Sequence, residues 1–263
     1  MNLPRATPLC AVSAGLALAL GTAFSSACSS GSGPAKTASA SQPASGGGGA
    51  SSGGSASDDS GVTASGGDNN PEGIAYPQPS GGYGRSSRSG GMPGSIMQNF
   101  KFLGYRSAVV AQQPERISLA DYYDPCGLRY KLIHLSVASV WCAPCNQETD
   151  AMVAAKAQLD SQGVAVLQAL DDGPVQGTGA TQSDLNRWIT THRSNFTEML
   201  DPGLSQLAGF FDAAAVPWNC DLDPRTMEII HDTTGWAGTV KVELAPAWAA
   251  LPATPSYPLP SCN

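Results

Sequence analysis

The apolar positions of this chain gather after Met92 and fall into two kinds of run. Residues 132–140 (LIHLSVASV) and 164–170 (VAVLQAL) are nearly continuous, the pattern of strands buried on both faces. Between them, 146–159 places Met152, Val153, Ala155 and Leu159 near one face with charged and amide side chains elsewhere. That spacing predicts a helix opened by Cys142 and ended by Gly163. Asp171-Asp172-Gly173-Pro174 breaks the second strand. A helix follows from Ser183 to about Arg193, with Ser183 as cap and Asp184 in its first turn. Residues 195–200 read as a third strand and 204–211 as a short helix. Residues 218–222 and 226–231 read as a hairpin around Asp223-Pro224-Arg225. Upstream, 98–111 is strand-like and 117–123 reads as a short helix. Beyond Thr233 the pattern is weak and becomes Pro-rich. Alternating strands and helices imply an α/β sandwich with a partly parallel sheet.

The region before Met92 carries no such pattern. Residues 11–24 (AVSAGLALALGTAF) are apolar or small, follow the single charge of Arg5, and are too short to span a bilayer. They have the length of a signal-peptide core, and Ser25-Ser26-Ala27 before Cys28 supplies small residues for cleavage. Residues 28–91 form a Gly/Ser-rich stretch expected to be a disordered linker. Its 60 or so residues would reach roughly 40–45 Å as a flexible coil. The expected division is therefore a signal peptide over 1–27, a linker over 28–91 and one folded domain over 92–263.

Charge adds little: net −7 with 13% charged residues and no basic stripe, so nucleic acid is a poor partner. Cysteine adds much. Of seven, Cys10 and Cys28 fall in or beside the targeting segment. Cys126, Cys142, Cys145, Cys220 and Cys262 remain, an odd set that fits one redox pair, one structural disulfide and one free thiol. Cys220 has three open fates: pairing with Cys126, pairing with Cys262, or burial as a small side chain. The arithmetic favours an oxidising compartment.

Trp141-Cys142-Ala143-Pro144-Cys145 carries the chemistry. Two cysteines three apart at the first turn of a helix are close enough to bridge. The first faces free N–H groups and the positive end of the helix dipole, which lower a thiol's pKa and make it a nucleophile. The second can then resolve the mixed disulfide. Pro144 is harmless in a first turn. A zinc site would need a second cysteine pair or histidines at ligand spacing, whereas His134, His192 and His231 are scattered. Haem attachment would need His where Asn146 stands. No metal or cofactor is expected.

With these motifs in view, residues 98–230 resemble the thioredoxin superfamily, and most closely its extracytoplasmic, membrane-attached TlpA/ResA-like branch. Three features carry the resemblance: VWCAPC after a buried strand, Glu148 three residues past Cys145, and Val216-Pro217 before a hairpin whose DLDPR turn is similar to that branch's. The resemblance implies a three-layer sandwich around a central mixed sheet. It implies Cys142 as nucleophile and Cys145 as resolving thiol, with Trp141 beside them. Glu148 would tune or move protons, Pro217 would be a cis-proline packed on the cysteines, and the Val216 backbone would pair with substrate. Ser136 stands where classical thioredoxin has a buried Asp, so that relay is absent. The N-terminus resembles a bacterial lipoprotein signal, with Ser25 where Leu is usual; lipidation at Cys28 would anchor the protein to a membrane on the extracytoplasmic side of the cell envelope. Ordinary cleavage near Ala27 is the alternative.

The expected activity is disulfide reduction or oxidation on extracytoplasmic protein thiols, served by an upstream redox donor or acceptor. A peroxiredoxin-like peroxidase would want proline where Leu135 stands, four residues before Ser139. A copper-handling lipoprotein would want three residues between the cysteines. Bland readings remain beside the sharp ones: Glu148 as a surface glutamate, Trp141 as a cover for the helix end, Pro217 as a loop proline. Asp171, Asp172 and the three histidines read as structural or solvated.

Overall fold

The two apolar runs form the paired centre of the sheet. In a computed structural model, which describes residues 66–83, 93–210, 215–255 and 257–262, strand β3 (Leu132–Ala138) lies parallel to β4 (Val164–Leu170), with every residue of both buried. Helix α1 (Ala143–Gln162) connects them and ends at Gly163, whose left-handed φ of 77° suits a residue without Cβ. Helix α2 (Gln182–His192) leads to β5 (Thr197–Leu200), parallel to β4. Its cap is Thr181, not Ser183: Thr181 and Asp184 form a capping box. On the other side of β3 the hairpin of β6 (Trp218–Asp223) and β7 (Glu228–Thr234) pairs antiparallel. Strands β1 (Lys101–Tyr105) and β2 (Glu115–Ser118) complete the order β2-β1-β5-β4-β3-β6-β7. The sheet is mixed, as expected.

Two readings move. Residues 117–123 begin as the end of β2 and continue only as a 3₁₀ turn, because Ile117 pairs with Phe102. In place of a helix from 204, the described residues hold two short 3₁₀ turns, Pro202–Leu204, which contains Gly203 at a left-handed φ, and Leu207–Gly209. A third element was invisible to patterning: α3 (Val240–Ala250), capped by the Thr239 side chain and carrying Pro246 in its interior.

The two sheet faces are covered differently. Ile133, Leu135 and Val137 of β3 point into the largest apolar cluster, closed by Phe100, Leu119, Tyr122, Leu207 and Phe210 from turns and loops. All three helices pack on the opposite face. There Ala138, Leu170, Leu185, Trp188 and both Cys142 and Cys145 form one cluster, and Leu132, Met152, Leu159, Phe196 and Leu244 form another. Gly104 is required where β1 meets β5: a Cβ on it would sit 2.2 Å from the Glu198 carbonyl oxygen.

The domain reaches further upstream than residue 92. Residues 66–83, assigned to the linker on composition, lie against the core: Tyr76 is 4% exposed and its hydroxyl donates to the Met97 carbonyl, while the Gly66 amide donates to Asp121. Composition misleads here because a few residues do the anchoring: buried Asn70 donates to the Tyr123 carbonyl, and Asp68 pairs with Lys101. The signal-peptide reading and Cys28 lie outside the described residues. No helix among the described residues is long and apolar enough to cross a membrane.

Cys126 and Cys262 form a disulfide across 136 residues of sequence, and Cys220 stays a buried free thiol, which settles the open pairing. The bridge holds the C-terminal tail, which also donates from the Tyr257 hydroxyl to the Gly94 carbonyl. Closing so long a loop restricts the unfolded chain, so Cys262→Ser is expected to lower unfolding stability by about 2–4 kcal/mol. Urea denaturation with the other disulfide held oxidised checks this; an unchanged midpoint would show that the bridge contributes nothing.

Candidate functional site

The site begins where β3 runs into α1. Cys142 is the N-cap of α1, with extended backbone (φ −84°, ψ 109°), and its sulfur accepts the Cys145 amide at 3.2 Å. That hydrogen bond and the helix dipole favour negative charge on the Cys142 sulfur when the pair is reduced. Pro144 occupies the first turn, where its missing N–H costs nothing. The two sulfurs are bridged. Cys142 keeps 2% of its surface and Cys145 none, so an incoming sulfur can reach only Cys142.

Trp141 is exposed and does more than cover a helix end: its indole N–H donates to Asp172 at 3.2 Å, and Asp172 also accepts the Gly177 amide at 2.6 Å. Across the pair, the Val216 carbonyl oxygen lies 3.6 Å from Cys142 Sγ. The Val216–Pro217 bond is cis, and Pro217 is buried at the entrance to β6. A bridged cysteine pair thus opens the helix of a parallel βαβ unit, facing the loop that enters an antiparallel hairpin on the neighbouring strand.

The fold is thioredoxin-like. No family model and no curated protein matches the chain. Among solved structures, a putative thiol:disulfide interchange protein DsbE from Chlorobium tepidum is similar at 19% identity, over 60% of this chain and 100% of that one, with a TM-score of 0.42. A secreted thiol-disulfide isomerase from Corynebacterium glutamicum aligns at 20% identity over 59% and 83%, TM-score 0.42. The exposed lipoprotein thioredoxin Etrx1 of Streptococcus pneumoniae aligns at 17% over 57% and 99%, TM-score 0.41. The thioredoxin-like assignment rests on this chain's own strand order and on the position of its cysteine pair.

Beneath the pair, the helix-covered face of the sheet carries a polar belt that sequence patterning did not single out. Register aligns Glu198 of β5 with Gln168 of β4, Gln168 with Ser136 of β3, and Ser136 with Asn219 of β6. Gln168 accepts from the Trp188 indole at 2.9 Å and donates to the Ser136 hydroxyl at 3.2 Å. Glu198 is wholly buried, and among the described residues neither of its oxygens has a partner at hydrogen-bond geometry, Ser194 being the nearest hydroxyl to influence it. Burial pushes its carboxyl up to about 8, relieved only slightly by the Ser194 hydroxyl.

Glu148 is no surface glutamate. It is fully buried one helical turn beyond Cys145, on the same side of α1. Burial raises its pKa, and His134 pulls the other way. His134, also fully buried, lies with Nε2 3.8 Å from Glu148 Oε1 and Nδ1 2.8 Å from Asp221. Burial alone would depress the His134 ring, but Asp221 and Glu148 together outweigh it and lift it to about 10. The directions agree on one arrangement: Asp221 ionised, His134 protonated and Glu148 inclined to hold its proton. One of the residues read as structural or solvated, His134, thus forms part of the buried polar layer. The signal was present in the strand: His134 and Ser136 are two apart in an apolar run, which puts both on one face.

Asp171 is a second missed acid. It accepts from the Ser139 hydroxyl at 2.5 Å and is pushed up to about 6 by burial, aided by the neighbouring Asp172. Ser139 is therefore engaged away from the cysteines. Tyr105, at the far end of β1, contributes to the same apolar cluster as the pair, a position no local pattern could disclose.

Proposed function

We propose that this protein is an extracytoplasmic thiol–disulfide oxidoreductase acting on protein substrates, anchored through lipid on Cys28. The observation that carries the reading is the asymmetry of the pair: Cys142 at the helix N-terminus, stabilised by the Cys145 amide and the only one of the two with any exposure. In the reducing direction the Cys142 thiolate attacks a substrate disulfide, one substrate sulfur leaves as thiolate, and a mixed disulfide forms. The Cys145 thiol then loses its proton, its sulfur attacks Cys142 Sγ, and the second substrate sulfur departs. Two electrons pass from the pair to the substrate, and an upstream dithiol restores them.

Val216 supports this as the substrate-pairing backbone, with Pro217 setting its direction and Trp141 forming the exposed apolar rim on the other side. Glu148 is the group placed to exchange a proton with the Cys145 sulfur, since burial raises its pKa above that of an exposed carboxyl and His134 holds the shift in check. A compartment outside the cytosol fits both the leader-like N-terminus and the Cys126–Cys262 bridge. Insulin reduction in dithiothreitol, with peroxide consumption measured on the same sample, tests the activity: insulin turnover without peroxidase activity is expected, and the reverse would overturn the reading.

Glu148→Gln removes the titrating group beside Cys145 while keeping its shape. The variant is expected to change the pH dependence of thiol reactivity at the pair and to slow release of captured substrate on the order of tenfold or more. Rapid alkylation of the reduced pair between pH 5 and 9 checks this, and superimposable profiles would remove Glu148 from the mechanism.

A further inference from the structure

At the end of the sheet opposite the cysteine pair, a cavity of about 370 Å³ opens beside the first residues of β4 and β5. Its size is that of a small-molecule site. Three cations from separate parts of the chain line it: Arg106 just beyond β1, Arg129 before β3, and Lys156 in the second half of α1. The rings of Tyr122, Tyr130 and Phe196 and the side chain of Val164 supply apolar wall. The Tyr122 hydroxyl is already bonded to Thr197 at 2.6 Å, so that residue offers the cavity its ring.

The carboxylates that face these cations differ in kind. Asp121 is enclosed, with 5% of its side chain exposed, and it is engaged by the Gly66 and Ser118 amides as well as by Arg106 at 2.6 Å. The other three are surface groups. Glu115 lies 3.2 Å from Arg106 and keeps 44% of its side chain exposed, and Glu72 lies 3.2 Å from Arg129 and keeps 41%. Asp160 faces Lys156 from one turn along α1 and keeps 56%. Pairs this exposed contribute little to stability and are screened by salt, so an anion entering the cavity can displace them. Asp121 alone stays, which leaves three cations facing one enclosed carboxylate.

Arg129 supplies an independent observation. Its guanidinium is held by the Asp121 and Tyr123 carbonyl oxygens at 3.4 and 3.3 Å, and its centre lies 5.2 Å from the Tyr130 ring centroid. Its Nε is nevertheless buried with no hydrogen-bond partner among the described residues. A buried N–H without an acceptor is costly, and an oxygen of a bound anion would satisfy it. Guanidinium groups match the paired oxygens of carboxylates and phosphates in geometry as well as in charge.

We propose that this cavity binds a small organic anion, with Arg106, Arg129 and Lys156 around its phosphate or carboxylate group and the tyrosine rings against its apolar body. The ligand is organic because the cavity is larger than a bare phosphate and much of its wall is aromatic or aliphatic. Glu72 competes with the ligand for Arg129 and gives way when the ligand enters. No lining residue belongs to the first turn of α1 or to the Val216 loop, so the site stands apart from the exchange reading.

The test is calorimetric titration of the full chain at low salt with four probes: phenyl phosphate, benzoate, inorganic phosphate and phenol. At least one of the first two is expected to bind on the order of tenfold more tightly than either of the others, and the tighter of the two names the anionic group. Added sodium chloride should weaken that binding. Lys156→Gln should weaken it on the order of tenfold, whereas Glu72→Gln, which removes the competing carboxylate from an exposed position, should tighten it a few-fold. Inorganic phosphate binding as well as phenyl phosphate and benzoate would mean an adventitious ion only and would overturn the proposal. Absence of binding by every probe, or binding that neither variant alters, would overturn it as well. Each of these outcomes is read without thiol–disulfide turnover, so failure here and failure of the exchange activity are separate results.

Discussion

Cys145→Ser is expected to turn the protein from a catalyst into a trap. Cys142 in this variant still sits at the N-terminus of α1 and still attacks, but no second sulfur is present to release the substrate. Turnover should fall on the order of a thousandfold or more, with a covalent adduct on Cys142 that dithiothreitol reverses. Cys142→Ser should lose turnover to a similar extent and form no adduct, because Cys145 is fully buried and cannot be reached from outside. The contrast is more informative than either loss alone. If both variants formed adducts equally, exposure would not be deciding which sulfur attacks. Mass spectrometry of the two variants after incubation with a disulfide-containing protein gives the answer directly.

The second large effect concerns stability. Glu198 has a folded-state pKa raised from 4.5 to about 8 by complete burial. The folded protein therefore holds this proton over a pH range in which the unfolded chain has already lost it. Its contribution to stability is greatest at low pH and declines as pH rises from near 4.5 through about 8. Glu198→Gln keeps the shape and removes the titration, so the advantage of the variant over the wild type should grow with pH. It should reach on the order of 3–5 kcal/mol above pH 8. Urea denaturation of both proteins at several values between pH 5 and 9 checks the slope. A difference that does not change with pH would mean that Glu198 titrates normally through water access. Glu198 shares the polar row with Gln168 and Ser136, so its variant also asks whether that row serves the redox pair or only tolerates a buried acid.

Particular residues show what the sequence could disclose. Residues 164–170 matched β4 in full because an uninterrupted apolar run flanked by Gly163 and Asp171 has few alternatives. The cysteine pair and the start of α1 were legible because strand, motif and helix are contiguous. The Val216–Pro217 position came from resemblance, not from physics. Helix α3 was missed because Pro246 argues against a helix locally, whereas packing of Leu244 and Ala247 against Met152 and Phe196 overrides it. The strap at 66–83 was missed because a Gly- and Pro-rich segment is held by a few scattered side-chain contacts, such as Asn70 to the Tyr123 carbonyl, Tyr76 to the Met97 carbonyl and Asp68 to Lys101, that composition does not register.

The pairing of His134 with Asp221 illustrates a deeper limit. Each residue is unremarkable in its own segment. Their meeting depends on β6 pairing with β3 out of sequence order, across more than 80 residues. A polar residue inside an apolar strand signals that a partner exists, but only the register names it. The same holds for Glu148, whose helix position was readable while its enclosure by β3, β6 and α3 was not.

Reversible bridging of Cys142 and Cys145 is what makes this protein an exchange catalyst. The direct measurement is equilibration of the full chain in buffers of graded redox potential, followed by acid quenching, alkylation and mass analysis of each cysteine. The expected result is a single two-electron transition confined to residues 142 and 145, with Cys126–Cys262 still bridged across it and Cys220 free throughout. A pair that stays in one form at every potential, or a transition that falls on Cys126 and Cys262 instead, would contradict it.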